Sequence, residues 1–261
     1  MRIGGVAFCL LLVWAVGCNN SLPPHGQQLL ASGKQSYERK QYDQALATLD
    51  AFMSQYGGRH GADEALLYRG MAKAQRGDRA GAMSDLRQAS AIARTPALRT
   101  HAQYNLANIA YEAGDMGGAA EAFRQALAQA DSDPSMLAIS ANGHYRLGVT
   151  LQRQGKWAEA DPHFHRVGFL SPDSDVARQA ARHANCRAWT VQAGSLGARQ
   201  AAEAMSAALK RLSLAATVQP DRSPQPRFVV YVGRFEQYGD AVEQLREVAK
   251  HQSDAFVTAI P

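Results

Sequence analysis

Four alanines set the spacing of most of this chain. Ala45, Ala82, Ala119 and Ala160 follow one another at intervals of 37, 37 and 41 residues, and the same companions recur around each. Leu49, Leu86, Phe123 and Phe164 stand four positions after them, and Gly33, Gly70, Ala107 and Gly148 twelve positions before. Lys40, Gly77, Gly114 and Gly155 stand five before, the last three followed by Asp78, Asp115 and Lys156, and Tyr42 and Trp157 share one slot. An alanine-rich period of this length, with apolar residues at helical spacing, predicts stacked helical pairs from about Gln28 to Arg187. Small residues let two antiparallel helices approach. A large residue one turn later fills the wedge against the next unit, and glycine supplies the turn. Four units suffice for a stable stack, with Asp175 to about Arg187 as a capping helix.

This pattern resembles the tetratricopeptide repeat. The fourth unit, with Gly148, Gly155, Trp157, Ala160, Phe164 and Pro172, carries the clearest match. The first departs from it, lacking the turn glycine and having Phe52 where a small residue is expected. The resemblance implies a concave surface that takes a protein partner, whose identity the variable inward-facing side chains do not give.

A second, shorter duplication follows. Val191-Gln192-Ala193-Gly194-Ser195-Leu196 recurs 39 residues later as Val230-Tyr231-Val232-Gly233-Arg234-Phe235. Each copy leads into a helical stretch and then a β-prone run ending in proline, at Pro220 and Pro261. Two β-α-β copies predict a four-stranded antiparallel sheet with two helices on one face and the other face open. Strands are expected at Trp189–Leu196, Leu214–Val218, Phe228–Val232 and Ala255–Ile260. Helices are expected over Ala198–Leu212 and from Asp240 to about His251. By alternation, Thr190 and Gln192 share one face of the first strand, and Val191 and Ala193 the other. The fold class is therefore α+β: an all-α repeat array (28–187) followed by a small β-α-β-β-α-β domain (188–261).

The second part resembles the SPOR domain, the bacterial sporulation-related repeat. The two hexamers and Ala255-Phe256-Val257 carry the likeness. It implies binding to peptidoglycan, in particular glycan strands stripped of stem peptides, which accumulate at the division septum. Thr190, Gln192, Ser195, Val229, Tyr231 and Arg234 are the expected glycan-binding residues. Gln192 supplies donors and acceptors, Ser195 a hydroxyl, and Val229 and Tyr231 a surface for sugar faces, with Arg234 at the strand end. The same layout serves RNA-recognition modules, but the central strands lack their stacking aromatics, and no nucleic acid is expected as partner.

The N-terminus points the same way. Arg2 precedes an apolar run from Ile3 to Val16, too short for a membrane-spanning helix but suited to a secretory leader. Ala15-Val16-Gly17-Cys18 resembles the bacterial lipobox. The resemblance implies a signal peptide over 1–17, lipidation at Cys18 and a tether over 18–27. Asn19 rather than Asp after the cysteine implies the outer membrane, with the protein facing the periplasm. Several acyl chains on one residue give a durable anchor.

Other signals exclude more than they propose. The net charge of +5 is too small to demand a polyanion. With Cys9 in the leader and Cys18 at its end as the lipidation site, Cys186 has no intramolecular disulfide partner. His163 and His165 diverge on a helix, and His183 with Cys186 falls short of a structural zinc set. No nucleophile elbow, phosphate-cradling loop or metalloprotease helix is present. The chain is expected to have no catalytic residues, cofactor or metal, and to bridge membrane, glycan and a protein partner. Two other readings share this fold: a pure protein scaffold with a non-binding SPOR sheet, and a regulator of wall hydrolases.

Overall fold

The structure, a computed structural model, describes residues 21–221 and 227–261. The expected leader and the Cys18 lipidation site lie outside the described residues. Among the described residues nine α-helices come first: α1 (Pro24–Glu38), α2 (Tyr42–Tyr56), α3 (Ala62–Gln75), α4 (Arg79–Ile92), α5 (Pro96–Glu112), α6 (Met116–Ala130), α7 (Leu137–Arg153), α8 (Trp157–Leu170) and α9 (Asp175–His183). They stack as the four pairs α1/α2 to α7/α8, capped by α9. The first helix begins at Pro24, inside the stretch expected as tether. Proline is preorganised for the first helical position, where its missing N–H is not needed, and Gly26 is buried beside Leu22 and Tyr56.

The repeat positions do what their sizes dictate, with one correction. A Cβ on Gly33 would lie 2.6 Å from Leu49, one on Gly70 2.8 Å from Leu86, and one on Gly148 2.6 Å from Phe164. The large residue thus fills the wedge against its own unit's first helix. The turns are left-handed at Gly77, Gly114 and Gly155, with φ of 83°, 83° and 74°. In the first unit Lys40 adopts the same conformation, φ 60°, at the slot lacking glycine. Asp78 and Asp115 then cap the following helices, accepting from the Gly81 and Gly118 N–H groups at 2.9 and 2.8 Å. The odd-numbered helices also touch one another in succession and so line the inner surface of the array.

The second part is β1 (Ala188–Leu196), α10 (Arg199–Arg211), β2 (Ala216–Pro220), β3 (Phe228–Phe235), α11 (Tyr238–Ala249) and β4 (Phe256–Ile260). The sheet order is β2-β3-β1-β4, antiparallel throughout. Thus the duplicated hexamers lie side by side at its centre. One cross-strand row, Val257–Val191–Val232–Ala216, faces α10 and α11 and packs with Ala202, Leu209 and Val248.

The two parts are joined by contacts rather than by a free linker. Asp161 on α8 accepts from the Asn185 N–H at 2.8 Å and from the Arg187 guanidinium at 2.7 Å. The Arg187 N–H in turn reaches the Ile260 carbonyl at 2.8 Å. Arg153 of α7 lies between two rings, 4.5 Å from the centroid of Tyr111 and 4.3 Å from that of Tyr238 on α11. Tyr238 meets Trp189 edge-on at 4.9 Å.

Candidate functional site

The face of the sheet away from the helices is built from a second row. Phe256, Gln192, Tyr231 and Thr217 are consecutive cross-strand partners from β4 through β1 and β3 to β2. Directly opposed residues in an antiparallel sheet point to the same side, so an amide and a hydroxyl stand among two aromatic rings. Phe256 is 49% exposed, Thr217 is exposed, and Gln192 and Tyr231 are half-buried. Among the described residues the Gln192 amide has no hydrogen-bond partner, so its donors and acceptor are available to a ligand.

Strict alternation would turn Ser195 inward, with Val191. A bulge prevents this. Gln192 pairs with Tyr231 but Gly194 pairs with Val230, so Ala193 is an extra residue on β1. Gly194 then faces α10, where an added Cβ would lie 2.9 Å from the Met205 sulfur. Ser195, opposite Val229, comes out on the Gln192 side. Its hydroxyl and carbonyl accept from Arg227 at 2.9 and 2.7 Å.

Pairing between β1 and β4 ends at Gln192 and Phe256, leaving the outer edge of β1 open beyond that point. There a groove of about 390 Å³ runs between β1 and the connection from α11 to β4. Gln192, Ser195, Met205, His251, Asp254 and Phe256 line it. Aromatic and thioether surface beside an amide, a hydroxyl and a carboxylate suits a ligand with flat apolar faces and many hydroxyls.

Three expected site residues stand elsewhere. Thr190 is fully buried, and its hydroxyl donates to the carbonyls of Val232 and Gly233 at 3.2 and 2.7 Å. It holds the β3 backbone where Gly233 turns left-handed, φ 71°. Val229 is only 4% exposed and offers no platform. Arg234 is exposed but donates to the Pro261 carbonyl at 2.7 Å, at the opposite end of the sheet from the groove. Phe256 and Asp254 were not among the expected residues. Only the pairing of β4 with Gln192 brings them to the site, and no local pattern marks that pairing.

Side-chain clusters outside the sheet do not form metal centres among the described residues. His183 Nδ1 lies 2.8 Å from Gln152 Oε1, and the Cys186 thiol donates to the Arg182 carbonyl. His163 diverges from His165, as its spacing implies, but meets His144, with the two Nδ1 atoms 2.9 Å apart. His144 Nε2 lies 3.1 Å from Asp131 Oδ2.

Comparison with known proteins agrees with this architecture. Residues 187–259 match the SPOR domain family, and residues 101–132, covering most of α5 and all of α6, match the tetratricopeptide repeat family. No curated protein matches the chain. Among solved structures, a tetratricopeptide repeat protein from Parabacteroides merdae is 16% identical with a TM-score of 0.49, over 60% of this chain and 58% of that one. The APC/C hetero-tetramer Cut9-Hcn1 is 16% identical with a TM-score of 0.53, over 60% of this chain and 29% of that one. The chain thus spans less than two thirds of either structure. At 16% identity the likeness to Cut9-Hcn1 concerns fold alone. Together with the repeat geometry and the sheet topology, the family matches identify the chain as a tetratricopeptide-type helical array carrying a C-terminal SPOR domain.

Proposed function

We propose that this chain is a lipid-anchored envelope protein that bridges peptidoglycan and a protein partner without catalysing a reaction. Lipid on Cys18 holds one end in the outer membrane, the SPOR sheet holds denuded glycan, and the inner surface of the array holds the partner. The observation that carries the glycan reading is the row Phe256–Gln192–Tyr231–Thr217 beside the groove at Ser195. Sugars offer an apolar ring face and equatorial hydroxyls, which match an exposed ring next to an unengaged amide. Weak sites on one chain gain strength from effective concentration once one end is fixed.

The test is retention of the protein on purified sacculi, intact or stripped of stem peptides by an amidase. Stronger retention on stripped sacculi supports a septal glycan binder. Equal retention on both leaves general wall binding. Absence of retention favours the second reading, a scaffold or hydrolase regulator with a silent SPOR sheet. The burial of Thr190 and Val229 speaks for that alternative, because it removes two of the expected contacts.

A further inference from the structure

The inner helices of the array differ from one end to the other in how their positive charges are matched. On α1 and α3, Lys34 pairs with Glu64, Arg69 with Asp85 and Asp50, and Lys73 with Asp85. In the C-terminal half, Arg146 and Arg153 of α7 and Arg182 of α9 have no carboxylate within ion-pairing distance among the described residues. Arg146 and Arg153 are seven residues apart on one helix and share a face. Both lie over the Tyr111 ring of α5, at 5.4 and 4.5 Å. Burial pushes the phenols of Tyr111 and Tyr145 up. Arg146 and Arg153 pull against it at both, Arg182 at Tyr145, and no carboxylate acts on either ring. The helices concerned, α5, α7 and α9, are successive inner helices of the array.

From this imbalance we infer that the inner surface around Arg146, Arg182 and Tyr111 docks an acidic peptide segment of a partner protein. The proposal rests on the protein-binding reading of the array and adds the chemistry of the partner. Three guanidinium groups beside two phenols present paired N–H donors and ring faces, the arrangement that recognises carboxylates interleaved with apolar side chains. Arg153 is already held between Tyr111 and Tyr238, so Arg146 and Arg182 are the residues free to reach a ligand.

The test uses the full chain in detergent and a fluorescein-labelled Glu-rich peptide, read by anisotropy, with its Gln-for-Glu twin as control. Binding of the Glu peptide alone, weakening with salt and falling roughly tenfold for Arg146→Gln and again for Arg182→Gln, supports the proposal. Arg146→Lys, which keeps the charge and loses the fork, is expected to recover part of the loss, and circular dichroism checks that each variant is folded. Equal binding of both peptides, or none, overturns it. So does loss of sacculus retention in the Arg146→Gln/Arg182→Gln variant, which would assign these arginines to an anionic glycan. Immobilised full chain is challenged in parallel with envelope proteins. If these are retained whichever residue stands at 146 and 182, the acidic-peptide proposal fails while the protein-binding reading survives. If neither peptide nor protein is retained, both fail.

Discussion

Trp157 and Trp189 meet with ring centroids 5.2 Å apart and planes tilted by 50°. The first opens the last helix of the fourth pair, and the second lies at the start of the first SPOR strand. Trp189 is 3% exposed, so the contact is part of a dry interface that also holds Tyr238 and Arg153. Replacing Trp157 with Ala removes a large apolar surface from this joint and is expected to weaken it by about 2–4 kcal/mol. The SPOR domain keeps its own core, in which Trp157 takes no part. Differential scanning calorimetry should therefore show one transition for the parent chain and two for the variant. A single transition at unchanged temperature would show that Trp157 is not what couples the two parts.

Phe256 is an exposed aromatic ring on the open face of the sheet. Phe256→Ala and Gln192→Ala are each expected to weaken sacculus binding by about 1–1.5 kcal/mol, roughly tenfold. Neither should alter the melting temperature much, because one ring is half exposed and the amide is unengaged. Thr190→Val is expected to behave oppositely, losing about 1–2 kcal/mol of stability through the orphaned Val232 and Gly233 carbonyls. Its glycan affinity should stay unchanged when measured well below the melting temperature. Co-sedimentation with sacculi beside thermal melts separates the two behaviours.

Lys40 occupies a left-handed turn that glycine occupies in the other three pairs. The conformation costs a non-glycine residue about 1–2 kcal/mol, part of which glycine gives back as unfolded-state entropy. Lys40→Gly is therefore expected to stabilise the array by about 0.5–1 kcal/mol, and Gly114→Ala to destabilise it by about 1 kcal/mol. Urea titrations of the two variants test both signs.

Acid should loosen the fourth helix pair and its cap. Burial is the main cause holding His163 and His183 down to about 4, with the charges of His144 and Arg124 adding at the first and Arg153 at the second. Their folded pKa values lie below the unfolded value of about 6.5. Between the two values the unfolded chain binds more protons, so stability present at neutral pH is lost as pH falls from about 6.5 through 4. At pH 5 the loss should be about 1–3 kcal/mol for each histidine, and His163→Asn should flatten the profile. Denaturant titrations at pH 7 and pH 5 measure it.

The array and the sheet topology could be read from spacing because both depend on local size and periodicity. Gly33 against Leu49 and Gly148 against Phe164 recur at fixed offsets, and the duplicated hexamers mark β1 and β3. The candidate site was harder to read. The sequence pattern puts Gln192, Tyr231 and Ser195 on the two central strands, but alternation alone places Thr190 beside Gln192 and does not register the turn at Gly233, whose carbonyl takes the Thr190 hydroxyl. Phe256 joins the site through its pairing with Gln192, 64 residues earlier in the chain, and nothing in its neighbourhood announces that partner. The His144–His163 contact was missed for the same reason: it joins two helices across 19 residues.

The extra residue at Ala193 gives β1 two independent vocabularies. Val191, Ala193 and Gly194 answer to the helices beneath, while Gln192 and Ser195 answer to whatever lies above. Substitutions at the outward pair leave the hydrophobic layer beneath undisturbed. Deleting one of the two residues between them would remove the bulge and restore plain alternation, with the serine still on the Gln192 side. The bulge is thus the one place described on β1 where a residue can be lost without changing which side chains face outward.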